Sequence, residues 1–281
     1  MPDRADAHIH LFEGGYQGCF TSRPGVNIDE AACYSSLAAD HDVRAALVVG
    51  YVGKPWCKSN NEFLARIAPG LPWARPAAHV ERLDKLTIET LEQWARQGFV
   101  GISCYIFGPK EAALPARCAD EVWAWLVEHR WLVSVNSKAE AWSAWLPVLE
   151  RHGELRVVAS HLGLPPCATR QTTSDDARRV LAELRALAAF PGSRVKLSGF
   201  YALSDPGYDY PHEVTWPYVE ALLGAFGPER LLWGSDCTPC LEKLSFPQTL
   251  GLFAKMPFLD DRMRRRIEGA NLLEMLDSVK Q

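Results

Sequence analysis

The sequence predicts a single (β/α)₈, or TIM, barrel over residues 1–281, and three observations predict it. Eight strand-like segments follow one another, each with a helix-like segment after it. The length of 281 residues is close to the ~250 typical of such barrels. The strand segments are rich in Val, Leu, Ile and Ala without strict alternation, as a parallel sheet covered by helices requires. A doubly wound open sheet is the alternative, but no Gly-x-Gly-x-x-Gly follows the first strand to support it.

The first strand runs from Arg4 to His10 and leads, through a Gly-rich loop, to a helix near Ile28 to Asp40 that Asn27 or Asp29 can cap. Val43 to Gly50 (VRAALVVG) reads as a buried strand, and Asn60 to Ala68 as a short helix after Ser59. Trp73 to Val80 is a weaker third strand, and the helix Lys85 to Gln97 is closed by Gly98. Phe99 to Tyr105 is the fourth strand, Ala116 to Arg130 its helix, and Trp131 to Asn136 the fifth strand. In the helix Ala139 to His152, Trp142, Trp145, Leu146 and Leu149 recur on one face, which suits an outer ring packed on the sheet. Strand six is Leu155 to His161, followed by a long helix from Ser174 to Ala189; strand seven is Arg194 to Gly199, with the helix Thr215 to Phe226 behind it. Strand eight, Arg230 to Asp236, precedes two closing helices, about Phe246 to Lys255 and Asp261 to Leu276.

Composition narrows the partners. With 48% hydrophobic and 23% charged residues the chain has the make-up of an ordinary globular protein. The net charge of -4 is spread without a basic tract, so neither nucleic acid nor a membrane is an expected partner and a small-molecule substrate is. No leader and no apolar run approaching ~20 residues is evident, which points to the cytoplasm. A homo-oligomer is compatible with all of this. In a reducing compartment the even count of eight cysteines does not imply disulfides. Cys237-Thr238-Pro239-Cys240 has the spacing of a redox or zinc motif, but without a second Cys-x-x-Cys it reads as the lining of a loop.

In a barrel, residues that close the strands carry the chemistry. His8 and His10 end strand one, and side chains at i and i+2 share a face, so both imidazoles can reach one point. Asn136-Ser137-Lys138 ends strand five, Ser160-His161-Leu162-Gly163 strand six, Lys196-Leu197-Ser198-Gly199 strand seven, and Gly234-Ser235-Asp236 strand eight. Three histidines and an aspartate thus converge on one rim from distant parts of the chain. Of the remaining histidines, His129 and His152 sit at helix C-termini, His41 lies beyond a helix, and only His79 is placed to reach the rim.

Taken together, Asp6-Ala7-His8-Ile9-His10, SHLGLP (Ser160 to Pro165), VKLSG (Val195 to Gly199), LLWGSD (Leu231 to Asp236) and Glu268-Gly269-Ala270-Asn271-Leu272 resemble the amidohydrolase superfamily, in its branch of pyrone-dicarboxylate, muconolactone and sugar-lactone hydrolases. The resemblance covers nearly the whole chain. It implies that His8 and His10 match the strand-one metal-ligand pair, His161 the strand-six histidine, and Asp236 the strand-eight aspartate that binds metal or serves as general base. Two departures stand out. Cys104-Tyr105-Ile106-Phe107 occupies the place of the carboxylated lysine or glutamate that bridges two metals, and Asn136 stands where many members carry a strand-five histidine. The resemblance then leaves one weakly held Zn²⁺ or Mn²⁺ on His8, His10, His161 and Asp236, or the same residues working without metal.

The expected reaction is hydrolysis of a lactone, with Asp236 as general base toward water and His161, with His8 and His10 or their metal, polarising the carbonyl. Tyr51, Tyr105, Asn136, Lys138 and Tyr201 are the expected substrate contacts, with Tyr16, Arg23 and Lys54 as further candidates on the loops. The stretch Phe200 to His212, with Tyr208 and Tyr210, reads as a lid or binding loop whose aromatic, weakly charged make-up suits a sugar-like or aromatic lactone. Asp6 lies one layer below His8, placed to orient a histidine or to sit as a bonded core carboxylate. The competing readings are a metal-dependent decarboxylase or hydratase of an unsaturated carboxylic acid, and a barrel retained for binding alone.

Overall fold

Eight parallel strands follow one another around the sheet in chain order, and the computed structural model, which describes residues 3–18, 28–169 and 172–280, shows the expected barrel. The strands are β1 (Arg4–Ile9), β2 (Val43–Val49), β3 (Ala74–His79), β4 (Gly101–Ile106), β5 (Leu132–Ser137), β6 (Arg156–Ala159), β7 (Arg194–Leu197) and β8 (Leu231–Trp233). The last seam closes through a parallel bridge between Ile9 and Cys237, where Asp236 N donates to His8 O at 2.8 Å and His10 N to Cys237 O at 2.6 Å. Gly234 permits that approach, since a Cβ there would stand 2.9 Å from His8 Cβ.

Strand alternation divides the sheet into two faces. One packs on the helices through buried Ile102, Cys104, Val133, Val135, Val157, Val195, Leu197 and Trp233, against which Trp123, Trp142 and Trp145 are also buried. The other holds Leu47, Ala77, Leu132, Val158 and Leu232 in a smaller apolar cluster. Counting on by twos from Leu132, Val158 and Leu232 reaches Ser134 and Asn136, Ser160, and Gly234 and Asp236, so polar side chains crown this apolar layer.

The strands carrying the rim histidine and aspartate are shorter than expected: β6 stops at Ala159 and β8 at Trp233. His161 (φ 52°) and Asp236 (φ 60°) are left-handed, so the chain leaves the ladder before reaching them. Such backbone costs roughly 1–3 kcal/mol where it is held by its surroundings, and it turns both side chains onto the rim.

Several helices also differ from expectation. The segment 139–151 is 3₁₀ over Ala139–Trp145 and α-helical only from Leu146 to Arg151, because Pro147 has no N–H to return to the preceding turn. The helix expected from Ser174 to Ala189 breaks at Leu181 into Ser174–Val180 and Ala182–Ala186, and the helix expected from Ala116 begins at Asp120. Asp29 caps the helix Glu30–Asp40 by accepting from Ala32 N, whereas Asn27 lies outside the described residues. The Glu268-to-Leu272 motif has a structural use: Asn271 Nδ2 donates to Pro228 O and Leu231 O at 2.7 and 2.8 Å, pinning the entry to β8. No helix among the described residues is long and apolar enough to cross a membrane.

Candidate active site

His8, His10, His161 and Asp236 meet at the C-terminal mouth of the barrel. His8 Nε2 lies 3.1 Å from His10 Nε2, and Asp236 Oδ1 is 3.7 Å from the former and 3.8 Å from the latter. The His161 ring centroid is 4.5 Å from that of His8. All four residues are buried.

Hydrogen bonds fix each ring. His10 Nδ1 is 2.7 Å from Val49 O; a carbonyl only accepts, so the ring hydrogen sits on Nδ1 and Nε2 presents a lone pair. Ser198 Oγ accepts from His161 N at 3.3 Å and lies 3.0 Å from His161 Nδ1, where its own hydrogen can be donated. Gly199 (φ 70°) is required at this point, because a Cβ would come within 2.6 Å of His161 Nδ1. Tyr201 OH donates to Asp236 Oδ2 at 2.6 Å.

Burial governs the charges. It draws His10 down to about 4 and His161 to about 3, and His8 well below the ordinary histidine value, so all three rings are neutral near pH 7. It raises Asp236, against the pull of His10, Tyr201 and Lys196.

Lys196, which the sequence placed among the residues closing strand seven without giving it a role, is wholly buried at the centre of this network. Its Nζ donates to Ser134 Oγ at 2.6 Å and faces His8 Nδ1 at 3.1 Å. Burial lowers it to about 7, opposed by Asp236 and Asp6. Asp6 orients no ring: Oδ1 accepts from His8 N and Ser235 N, Oδ2 accepts from Tyr34 OH, and the carboxyl ties β1 to the chain after β8.

A cavity of about 250 Å³ opens beside His10, lined by Phe12, Tyr16, Tyr51, Lys54, Trp56 and Tyr105. Phe12 and Trp56 meet edge to face at 4.8 Å. Glu30, which sequence reasoning passed over, holds this wall by accepting from Phe12 N at 2.7 Å and Tyr16 N at 2.8 Å. Tyr105 and Asn136 are register partners across β4 and β5 and share a hydrogen bond, while Asn136 Oδ1 is buried without a protein partner. Lys138 stands apart at the exposed rim, its ammonium 5.9 Å over the Phe107 ring.

The supposed lid divides. Tyr201 reaches Asp236, Tyr208 is exposed to solvent, and His212 is buried on Ser204 Oγ at 2.7 Å as a structural group. His79 lies behind Tyr51 and Tyr105, with Nδ1 3.3 Å from Ser103 Oγ. Cys237 and Cys240 are buried and hydrogen bonded to each other, and Cys19 and Arg23 lie outside the described residues.

The spacing would suit a cation: ligand atoms of His8, His161 and Asp236 all lie within 4.8 Å of one another. The proton pattern does not suit one at His8. His10 Nε2 can only accept, so its 3.1 Å contact with His8 Nε2 calls for a hydrogen on His8, and the Lys196 donor at Nδ1 calls for the same tautomer. In that tautomer His8 offers the centre no lone pair, so an ion held through His8 would require its hydrogen to move to Nδ1.

Three imidazoles and a carboxylate at the C-terminal mouth of a (β/α)₈ barrel define the equipment of a barrel hydrolase. The family model for amidohydrolases matches residues 5–277, and the chain belongs to that family. It is 37% identical over 93 residues to an L-fucono-1,5-lactonase of Burkholderia ambifaria, a match spanning 33% of this chain and 30% of that enzyme. An amidohydrolase from Burkholderia multivorans crystallised with bound zinc superposes with a TM-score of 0.76 at 20% identity, over 98% of this chain and 99% of that one. A probable 2-pyrone-4,6-dicarboxylic acid hydrolase from Acinetobacter baumannii with bound citric acid gives a TM-score of 0.73 at 17% identity, over the same shares. At these identities the two structures establish the common fold.

Proposed function

We propose that this hydrolase opens a hydroxylated monocyclic lactone, using Asp236 as the base toward water. The observation that carries the reading is the environment of Asp236: a buried carboxylate fixed at 2.6 Å by Tyr201, beside neutral imidazoles and next to an aromatic cavity. Asp236 takes a proton from water, and the oxygen adds to the lactone carbonyl. If Ser198 donates to His161 Nδ1, His161 presents Nε2–H and donates it to the developing oxyanion. Collapse breaks the ring C–O bond, and the proton held by Asp236 passes to the leaving alkoxide. The products are a hydroxy acid and the regenerated carboxylate.

A cavity of about 250 Å³ has room for one ring, and Trp56 with Phe12 offers an apolar wall to its C–H face. Asn136 Oδ1 and the hydroxyls of Tyr51 and Tyr105 suit substrate hydroxyls. Lys54 is the one cation lining the cavity among the described residues, which suits a sugar lactone better than a polycarboxylate. The lactonase relatives support the same class, although the alignment spans under a third of the Burkholderia ambifaria enzyme. The test is a panel of sugar 1,5- and 1,4-lactones, muconolactones and pyrones, assayed with and without chelator. Opening of a sugar lactone at an undiminished rate in chelator is expected; silence across the panel would refute the reading.

A further inference from the structure

We propose that Lys196 is the positioning residue of this site: it commits His8 to carry its one ring hydrogen on Nε2, and by doing so it keeps metal from being held through His8. The inference goes beyond the lactonase reading and stands whatever the substrate.

The argument rests on donors and acceptors counted along one chain of contacts. An ammonium has three hydrogens to give and nothing to accept with. Lys196 gives one to Ser134 Oγ at 2.6 Å, and its next contact is His8 Nδ1 at 3.1 Å, from which the charged lysine needs a lone pair. A neutral imidazole with a bare Nδ1 carries its hydrogen on Nε2. At the far end, His10 Nδ1 gives its hydrogen to Val49 O, so His10 Nε2 has only a lone pair to offer at 3.1 Å. The two ends call for the same tautomer of His8, and each contact in the series Lys196, His8, His10, Val49 pairs one donor with one acceptor.

Metal-bound histidines ordinarily do the reverse, giving their remote N–H to a carbonyl or carboxylate. His10 has such a partner in Val49 O, whereas His8 has a lysine. A divalent ion would also stand only the width of an imidazole from the ammonium, and like charges at such range in a buried site repel strongly. With Asp236 as counter-charge, Lys196 instead supplies the positive charge to which a developing oxyanion is drawn.

Two measurements test this. The first uses metal-free wild-type protein labelled with ¹⁵N in its histidines: the ring signals of His8, assigned by their loss in His8→Asn, are expected to show a protonated Nε2 and an unprotonated Nδ1. A hydrogen on Nδ1 would overturn the proposal. The second compares Co²⁺ affinity, followed by its visible d–d spectrum, between wild type and Lys196→Met, which conserves side-chain volume. Lys196→Gln, whose amide oxygen can accept from His8 Nδ1–H, serves if the methionine variant does not fold. Affinity should tighten by about tenfold or more, a change of ~1.4 kcal/mol, and the His8 hydrogen should move to Nδ1. Unchanged or weaker Co²⁺ binding in a folded variant would refute the role, and if neither variant folds the wild-type spectrum decides alone.

Discussion

Replacing Tyr201 by Phe removes one hydroxyl and with it the 2.6 Å hydrogen bond to Asp236 Oδ2. Hydrogen bonds to charged groups contribute about 1.5–3 kcal/mol, and one pKa unit is ~1.36 kcal/mol, so the loss corresponds to roughly one to two units on Asp236. The sign follows from which form the bond favours. Tyr201 donates to the carboxylate, as His10 and Lys196 also favour it, while burial favours the neutral acid and has already raised Asp236. Without Tyr201 the carboxyl rises further. Because the reaction needs the ionised base, activity disappears as pH falls through this pKa, and the acid limb of kcat/KM should move to higher pH by about one to two units. The assay is the pH profile of lactone hydrolysis, followed by chromatographic product quantitation so that no indicator intervenes. Well above the limb the variant should approach wild type within about tenfold, since the base itself remains. An acid limb that stays in place, or moves to lower pH, would refute the assignment of Tyr201 as the group that holds Asp236 ionised.

Asp236→Asn should lower kcat by about 10²-fold or more while the far-ultraviolet circular dichroism stays that of wild type; retention of more than about one per cent of kcat would remove Asp236 from the role of base. Gly199→Ala places a Cβ 2.6 Å from His161 Nδ1 at a left-handed φ of 70°, so it should cost about 1–2 kcal/mol in denaturant unfolding and displace His161, with kcat falling more than KM rises. Asn271→Ala loses two hydrogen bonds to the chain entering β8 and should destabilise by about 1–3 kcal/mol in urea with kcat and KM within twofold of wild type. Trp56→Ala removes half of the apolar wall that it forms with Phe12 and should raise KM about tenfold with a smaller change in kcat, read from initial rates.

The barrel was legible because its signal is distributed: every strand brought its own Val, Leu or Ile run and every helix its own apolar face, and an error of a few residues at one boundary left the alternation intact. What failed was local. Pro147 converts the start of one helix to 3₁₀, Leu181 breaks another, and the left-handed residues His161 and Asp236 cut β6 and β8 short for the sake of the site. Residues at strand ends could be found by position alone, which is how His8, His10, His161 and Asp236 were brought together before any distance was known. Lys196 and Glu30 escaped for different reasons. Lys196 stood among the strand-seven residues but drew no role; its signal was a charged side chain two residues before Ser198, on the same face of a strand between buried Val195 and Leu197. Glu30 drew no reading at all; its use in holding Phe12 and Tyr16 depends on a loop fold that no spacing announces. Of the two readings of Asp6, a histidine's partner or a bonded core carboxylate, the second holds: its carboxyl accepts from two backbone N–H groups and Tyr34.

The central claim is that Asp236 activates water and does not itself attack. It is tested by one turnover in H₂¹⁸O, with enzyme in excess over a lactone that the panel has shown to open and with mass spectrometry of both product and enzyme. General-base catalysis predicts one ¹⁸O in the product carboxylate on that first turnover and none in the enzyme. Product free of label, with ¹⁸O in the peptide that carries Asp236, would show an acyl-enzyme on the carboxylate and contradict the account.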